Sequence, residues 1–182
     1  MEAIKYDNFP LYTYNDYKEW EDRWELIDGV PYAMAPAPYP KHQQIIGRIY
    51  IEFEKNLKCI DKNCEFYISP VDWKIDENTV VQPDVALFCE NPKKQYFTKT
   101  PPIVVEVLSK STAYKDVTTK FELYQREGVM FYIIIEPNSE ISDIFKLVGG
   151  KYELMKKATK EDRYIFKLNE DCTTEVNFGA LF

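Results

Sequence analysis

Two apolar runs joined by a helix-length connection constrain this chain more than any other feature. Ile103-Val104-Val105-Glu106-Val107-Leu108 and the run from Val129 to Ile135 both read as strands buried on two faces. Between them, Lys115 to Glu127 has the pattern of a helix, and Gly128 supplies a common C-terminal stop. A strand–helix–strand connection of this length permits parallel pairing, which a tight turn does not.

The flanking chain reads differently. Thr13 to Asp16 offers N-cap candidates for a short helix through Trp20 and Arg23. Asp28-Gly29 lies between the alternating runs of Trp24 to Met34, which predicts a hairpin because glycine accepts the positive φ of a tight turn. Pro36, Pro38 and Pro40 make a stiff loop, and Ile45, Ile46, Ile49, Phe53 and Leu57 then recur at helical spacing from Lys41 onward. Strands follow over Glu65 to Ser69, Val71 to Ile75 and Val80 to Phe88. A meander closes the chain, with Gly149-Gly150 turning between Ile141–Val148 and Tyr152–Lys156, and a last strand at Tyr164 to Leu168. The pattern is that of an α/β or α+β protein: a mixed central sheet flanked by helices, with hairpins at the N- and C-terminal ends. At 182 residues the chain suits one domain, 1–182.

Two carboxylates interrupt apolar strands. Asp84 follows Val80-Val81-Gln82-Pro83, and Glu106 sits at the centre of its run. A buried carboxylate protonates, pairs with a cation or binds a metal. On neighbouring strands the two would form a hard-oxygen site suited to Mg²⁺ or Mn²⁺. Pro83 lacks a ladder donor and belongs at a strand start, edge or bulge, where an aspartate can be aimed into a cleft. Lys120, on the following helix, has the length to reach these carboxylates, or else pairs with Asp116 one turn earlier. His42 stands at the start of the long helix as a hydrogen-bond partner, substrate contact or base. Ser109 and Ser111 follow the Glu106 strand without triad spacing to that histidine.

Composition narrows the partners. The net charge of −7 weakens the case for a sequence-independent nucleic-acid binder, which gains affinity by neutralising phosphates with Lys and Arg. A bound divalent cation reverses the sign locally. Aromatics make up 15% of residues, which fits large side chains packed on a broad sheet. Cys59 and Cys64 lack a second pair in sequence, and His42 is the only histidine, so no zinc-finger spacing is visible. With no apolar leader or membrane-length run, the expectation is a cytoplasmic, soluble protein with four reduced thiols.

An ordered set of motifs carries a family resemblance. Glu25-Leu26-Ile27-Asp28-Gly29, the proline-rich loop before His42, Gln82-Pro83-Asp84-Val85 and Val105-Glu106-Val107-Leu108-Ser109 come in turn, followed by Asp116, Lys120, Tyr124 and Gly128-Val129. Over about Trp24 to Pro137 the chain resembles the Uma family of putative restriction endonucleases, a branch of the PD-(D/E)XK nuclease superfamily. The resemblance implies a Mg²⁺- or Mn²⁺-dependent endonuclease acting on DNA; the oligomeric state stays open, though a homodimer would let one site per subunit cut two strands. It implies Asp84, Glu106 and the Val107 carbonyl as metal ligands, with Glu25 completing the site. It further implies Lys120 in place of the signature lysine, whose usual position is Leu108, with a polar contact beside the metal from Gln82 and a family histidine matched by His42 as a substrate contact. Ser109, by its position, either caps the loop or helps bind the substrate phosphate. The chain departs from the family after Gly128-Val129, where Met130-Phe131-Tyr132-Ile133-Ile134-Ile135-Glu136-Pro137 replaces a Pro-Glu-Tyr-Trp-Ile-Val-Asp-Pro pattern. The rival reading is a non-catalytic nuclease-fold module that binds protein.

Overall fold

The computed structural model describes residues 10–34, 39–59, 63–92, 94–109 and 113–182. Pro36, Pro38 and Ser111 lie outside the described residues.

A short helix α1 (Tyr14–Tyr17) precedes the hairpin β1 (Trp24–Ile27) and β2 (Val30–Ala33). The helix is shorter than its sequence predicts and does not reach Trp20 or Arg23. The hairpin turns at Asp28 and Gly29, whose φ values of 50° and 79° are the paired positive angles of a tight two-residue turn. The long helix α2 (Pro40–Asn56) starts with proline in its first turn, where a missing N–H costs nothing. His42, Ile45, Ile46, Ile49 and Phe53 share its buried face.

Next come β3 (Lys58–Cys59), β4 (Cys64–Ile68), β5 (Asp72–Lys74), β6 (Val80–Val81), β7 (Val85–Cys89), β8 (Tyr96–Phe97) and β9 (Ile103–Val107). The run from Val80 to Phe88, read from sequence as one strand, is two. β6 pairs with β1 and β5 in one sheet, whereas β7 pairs with β4 and β9 in another. Pro83 sits at the crossing, where its missing N–H breaks no ladder. The connection from β9 to β10 (Phe131–Glu136) carries two helices, α3 (Ala113–Val117) and α4 (Thr119–Arg126), where the sequence predicts one. They divide at Thr118, whose φ of −124° and ψ of −82° are non-helical.

β9 and β10 pair in parallel, from Ile103 opposite Phe131 to Val107 opposite Ile135. They form the centre of a six-stranded mixed sheet in the order β12-β11-β10-β9-β7-β4, in which β11 (Ile141–Val148) and β12 (Lys151–Ala158) make the outer hairpin. A third sheet joins β13 (Arg163–Lys167), β14 (Cys172–Asn177) and β3. β14 has no counterpart in the sequence reading, because its alternation is carried by Cys172, Thr174 and Val176 rather than by large apolar residues.

Two cores lie on opposite faces of the central sheet. Under α2, Ile45, Ile49 and Phe53 pack on Val85, Val105 and Ile133, and Phe53 stacks on Phe66 with ring centroids 4.4 Å apart. On the other face, Leu123 and Tyr124 of α4 pack with Trp73, Val104 and Tyr132. The central strands are therefore covered on both sides, as their unbroken apolar runs require. The cysteines differ from the expected reduced thiols: Cys59 is joined to Cys172 and Cys64 to Cys89, because strand register places each pair directly opposite. No helix among the described residues is long and apolar enough to cross a membrane.

Candidate active site

The register of β7 against β9 runs Leu87–Ile103, Ala86–Val104, Val85–Val105. One further step places Asp84 beside Glu106, at the end of β7 where the chain leaves one sheet for another. Asp84 is partly open, with 14% of its side chain exposed, whereas Glu106 is 2% exposed. Asp84 Oδ2 accepts from the Val107 N–H at 2.8 Å, which ties the aspartate to the adjacent strand.

Glu106 faces α4. Its Oε1 accepts from Lys120 Nζ and from the Tyr124 hydroxyl, each at 2.8 Å. Lys120 and Tyr124 are four residues apart and so lie on one helix face. Lys120 also lies 2.8 Å from Glu25 Oε1 on β1 and 3.8 Å from Asp116 Oδ1 on α3. The sequence-based alternatives for Lys120 merge here, since the ammonium meets both Asp116 and the strand carboxylates. Glu25 is fully buried; it also pairs with Lys115 and accepts the Gln82 N–H at 2.8 Å.

The electrostatics follow from how these cations are shared. Burial raises the Glu106 carboxyl well above the ordinary range; Lys120 opposes this, but Asp116, Asp84 and Glu25 add to it. Burial acts against the Lys120 charge, yet Glu106, Glu25 and Asp116 around it hold its pKa well above normal. Burial acts against the Glu25 charge too, but Lys120 and Lys115 together bring its pKa below the usual value. Four carboxylates (Glu25, Asp84, Glu106 and Asp116) thus meet two lysines. The carboxylates outnumber the cations around them, with His42 beside Asp84, and Glu106 bears most of the cost, its carboxyl pushed toward the neutral form.

A divalent cation fits this deficit. The Lys120 and Tyr124 hydrogen bonds to Glu106 fall on Oε1 and the Val107 N–H falls on Asp84 Oδ2, which makes Glu106 Oε2 and Asp84 Oδ1 the candidate ligand atoms. These are hard, anionic donors of the kind that hold Mg²⁺ or Mn²⁺. The Val107 carbonyl lies at the same strand end and acts on His42, whose Nε2 is 3.4 Å from Asp84 Oδ2. Burial lowers the His42 pKa, but Asp84 and the Val107 carbonyl outweigh it and the net shift is upward.

His42 and Ser109 line one cavity of about 560 Å³, together with Tyr39, Lys41, Glu136 and Asn138. Gln82 does not join them. Its backbone N–H supports Glu25, while its side chain belongs to a separate polar network with Arg23, Asp72 and Tyr17. Lys115 carries no motif in the sequence and was missed. The signal that could have found it is its spacing of five from Lys120, which the break at Thr118 allows to converge on one carboxylate. Tyr124 stood in the motif set, but only the structure assigns it a contact.

The likenesses to known proteins concern the family and the fold. A family model, Uma2, described as "Putative restriction endonuclease", matches residues 13–167. A protein of Synechocystis sp. (strain ATCC 27184 / PCC 6803 / Kazusa), "Uncharacterized protein slr1290", is 31% identical over 145 residues, 75% of each chain. A crystal structure from Anabaena variabilis ATCC 29413, described as a "putative nuclease belonging to DUF820", superposes with a TM-score of 0.63 at 15% identity, covering 78% of this chain and 83% of the other. That similarity concerns the fold, a mixed α+β architecture shared with a nuclease-like protein. The family match spans most of the sequence, and the chain belongs to the Uma2 family of putative restriction endonucleases.

Proposed function

We propose that the protein is a metal-dependent endonuclease that hydrolyses phosphodiester bonds in DNA. The observation that carries this reading is the juxtaposition of Asp84 and Glu106 at one strand end, in a cluster where carboxylates outnumber cations. Asp84, Glu106 and the Val107 carbonyl would hold Mg²⁺ or Mn²⁺. When bound, the ion would polarise the scissile phosphate and lower the pKa of an attacking water.

The remaining residues prepare that site. Lys120 and Tyr124 fix the Glu106 carboxyl from the α4 side, so its second oxygen points away from them. Glu25 anchors Lys120 and Lys115 and keeps both cations within the carboxylate cluster. Lys120 is 2% exposed, so it acts on the developing charge by fixing the field of the cluster rather than by swinging out to a phosphate. His42 and Ser109, lining the adjoining cavity, are placed to meet the substrate backbone. Two copies, each with one such site, could cut opposite strands.

The net charge of −7 favours a second reading, a nuclease-fold module that binds protein instead. Plasmid nicking with Mg²⁺ or Mn²⁺, run beside Asp84→Ala and Glu106→Gln, tests the first reading. Loss of nicking in both variants with the fold retained supports it; unchanged nicking in either overturns it. Calorimetric titration without DNA separates the second, since a folded protein that binds no Mg²⁺ or Mn²⁺ at millimolar concentration is the module.

A further inference from the structure

All four cysteines gather at one place, remote in chemistry from the carboxylate site. Cys59 on β3 lies opposite Cys172 on β14, and Cys64 on β4 lies opposite Cys89 on β7. The first pair belongs to the three-stranded sheet and the second to the six-stranded sheet. The sulfurs of Cys59, Cys64 and Cys172 all lie within 4.8 Å of one another, and Cys89 is joined to Cys64. The cluster therefore spans the seam between two sheets.

We propose that the reduced protein binds zinc through Cys59, Cys64, Cys89 and Cys172. Tetrahedral thiolate coordination at about 2.3 Å sets sulfurs roughly 3.8 Å apart, within the 4.8 Å span of Cys59, Cys64 and Cys172, and Cys89 would enter through rotation beside Cys64 once reduced. The Cys59-x4-Cys64 spacing matches a zinc-ligand half-site. The sequence hides the other half, because strand pairing brings Cys172 and Cys89 in from distant positions. Among the described residues no carboxylate or histidine joins the group, and an all-sulfur set selects zinc over Mg²⁺ or Mn²⁺.

The arrangement also explains why a metal adds what the disulfides do not. Each disulfide links strands that already pair within one sheet, whereas a four-sulfur ion ties β3 and β14 to β4 and β7. Passage between the two forms balances simply. A dithiol reductant delivers two electrons and two protons to each disulfide and is itself oxidised to a disulfide; zinc then displaces the thiol protons into solvent.

The test is the metal content of the full chain, purified under reducing conditions from zinc-supplemented medium. The expected result is about one zinc per chain in the wild type and in Asp84→Ala, with loss of nearly all of it in Cys172→Ser and Cys89→Ser. Cobalt substituted into the wild type should show thiolate-to-metal charge transfer. Should the cysteine variants fail to fold, titrating wild-type thiols with an organomercurial must release zinc in step with thiol loss. A reduced protein that holds neither zinc nor cobalt overturns the proposal, as does zinc that leaves with Asp84 but stays when the cysteines are replaced.

Discussion

Lys120 Nζ donates to Glu106 Oε1 at 2.8 Å, joining helix α4 to the central strand β9 in a fully enclosed setting. The same ammonium reaches Glu25 on β1, in a different sheet. One side chain thus fixes the relative position of two sheets and a helix, and it does so at the site where the proposed ion would sit.

Replacing Lys120 with Met should therefore destabilise the metal-free protein by about 3–5 kcal/mol, because buried carboxylates lose their shared partner. The double variant Lys120→Met, Glu106→Gln should recover part of that loss. Urea unfolding without divalent ions measures both; a Lys120→Met cost below about 1 kcal/mol would contradict the shared-cation account.

Gly29 and Gly128 offer a matched comparison. Both have positive φ, +79° and +81°, yet a Cβ at Gly29 would meet Leu11 Cβ at 2.9 Å whereas Gly128 faces open space. Gly128→Ala should cost about 1–2 kcal/mol, the backbone penalty alone. Gly29→Ala should cost measurably more, and equal midpoints in a denaturation series would show that Leu11 does not press on the turn.

Asp162 caps the turn between β12 and β13. Its hydrogen bond from Lys156 comes first among the causes that bring its pKa down to about 2, with the Thr159 N–H and hydroxyl adding to it. A carboxyl lowered in the folded state contributes stability above its ordinary value of 3.8 and loses it as pH falls toward 2. Asp162→Asn should therefore flatten the acid limb of the stability curve between those values, lowering stability at neutral pH and leaving it little changed below pH 2. Proton-coupled carbonyl chemical shifts of Asp162 give the direct check, and a midpoint at the ordinary value would refute the pairing.

Much of this architecture is legible in sequence. The parallel β9–β10 core shows in two unbroken apolar runs, and α2 shows in the spacing of Ile45, Ile49 and Phe53. Asp84 and Glu106 stand out because a charge within an apolar strand needs a reason. Other features depend on contacts between distant segments. The switch of sheet at Pro83 hides because Val80–Val81 and Val85–Cys89 both look like one strand's apolar pattern. The break at Thr118 is invisible to helix periodicity, since threonine is an ordinary helix residue. Gln82 reads as a site residue from its neighbours Pro83 and Asp84, but its side chain turns to Arg23 and Asp72. Lys115 reaches Glu25 only through the break at Thr118, and Cys172 and Cys89 join Cys59 and Cys64 only through strand pairing between distant segments.

The measurement that bears most directly on the account is metal-dependent cleavage of supercoiled plasmid by the wild-type chain, with and without the Asp84→Ala change. The predicted result is nicking that requires Mg²⁺ or Mn²⁺ and disappears in a folded Asp84→Ala protein. Nicking that persists in that variant, or a wild-type protein inert on plasmid and single-stranded DNA across millimolar concentrations of both ions, would contradict it.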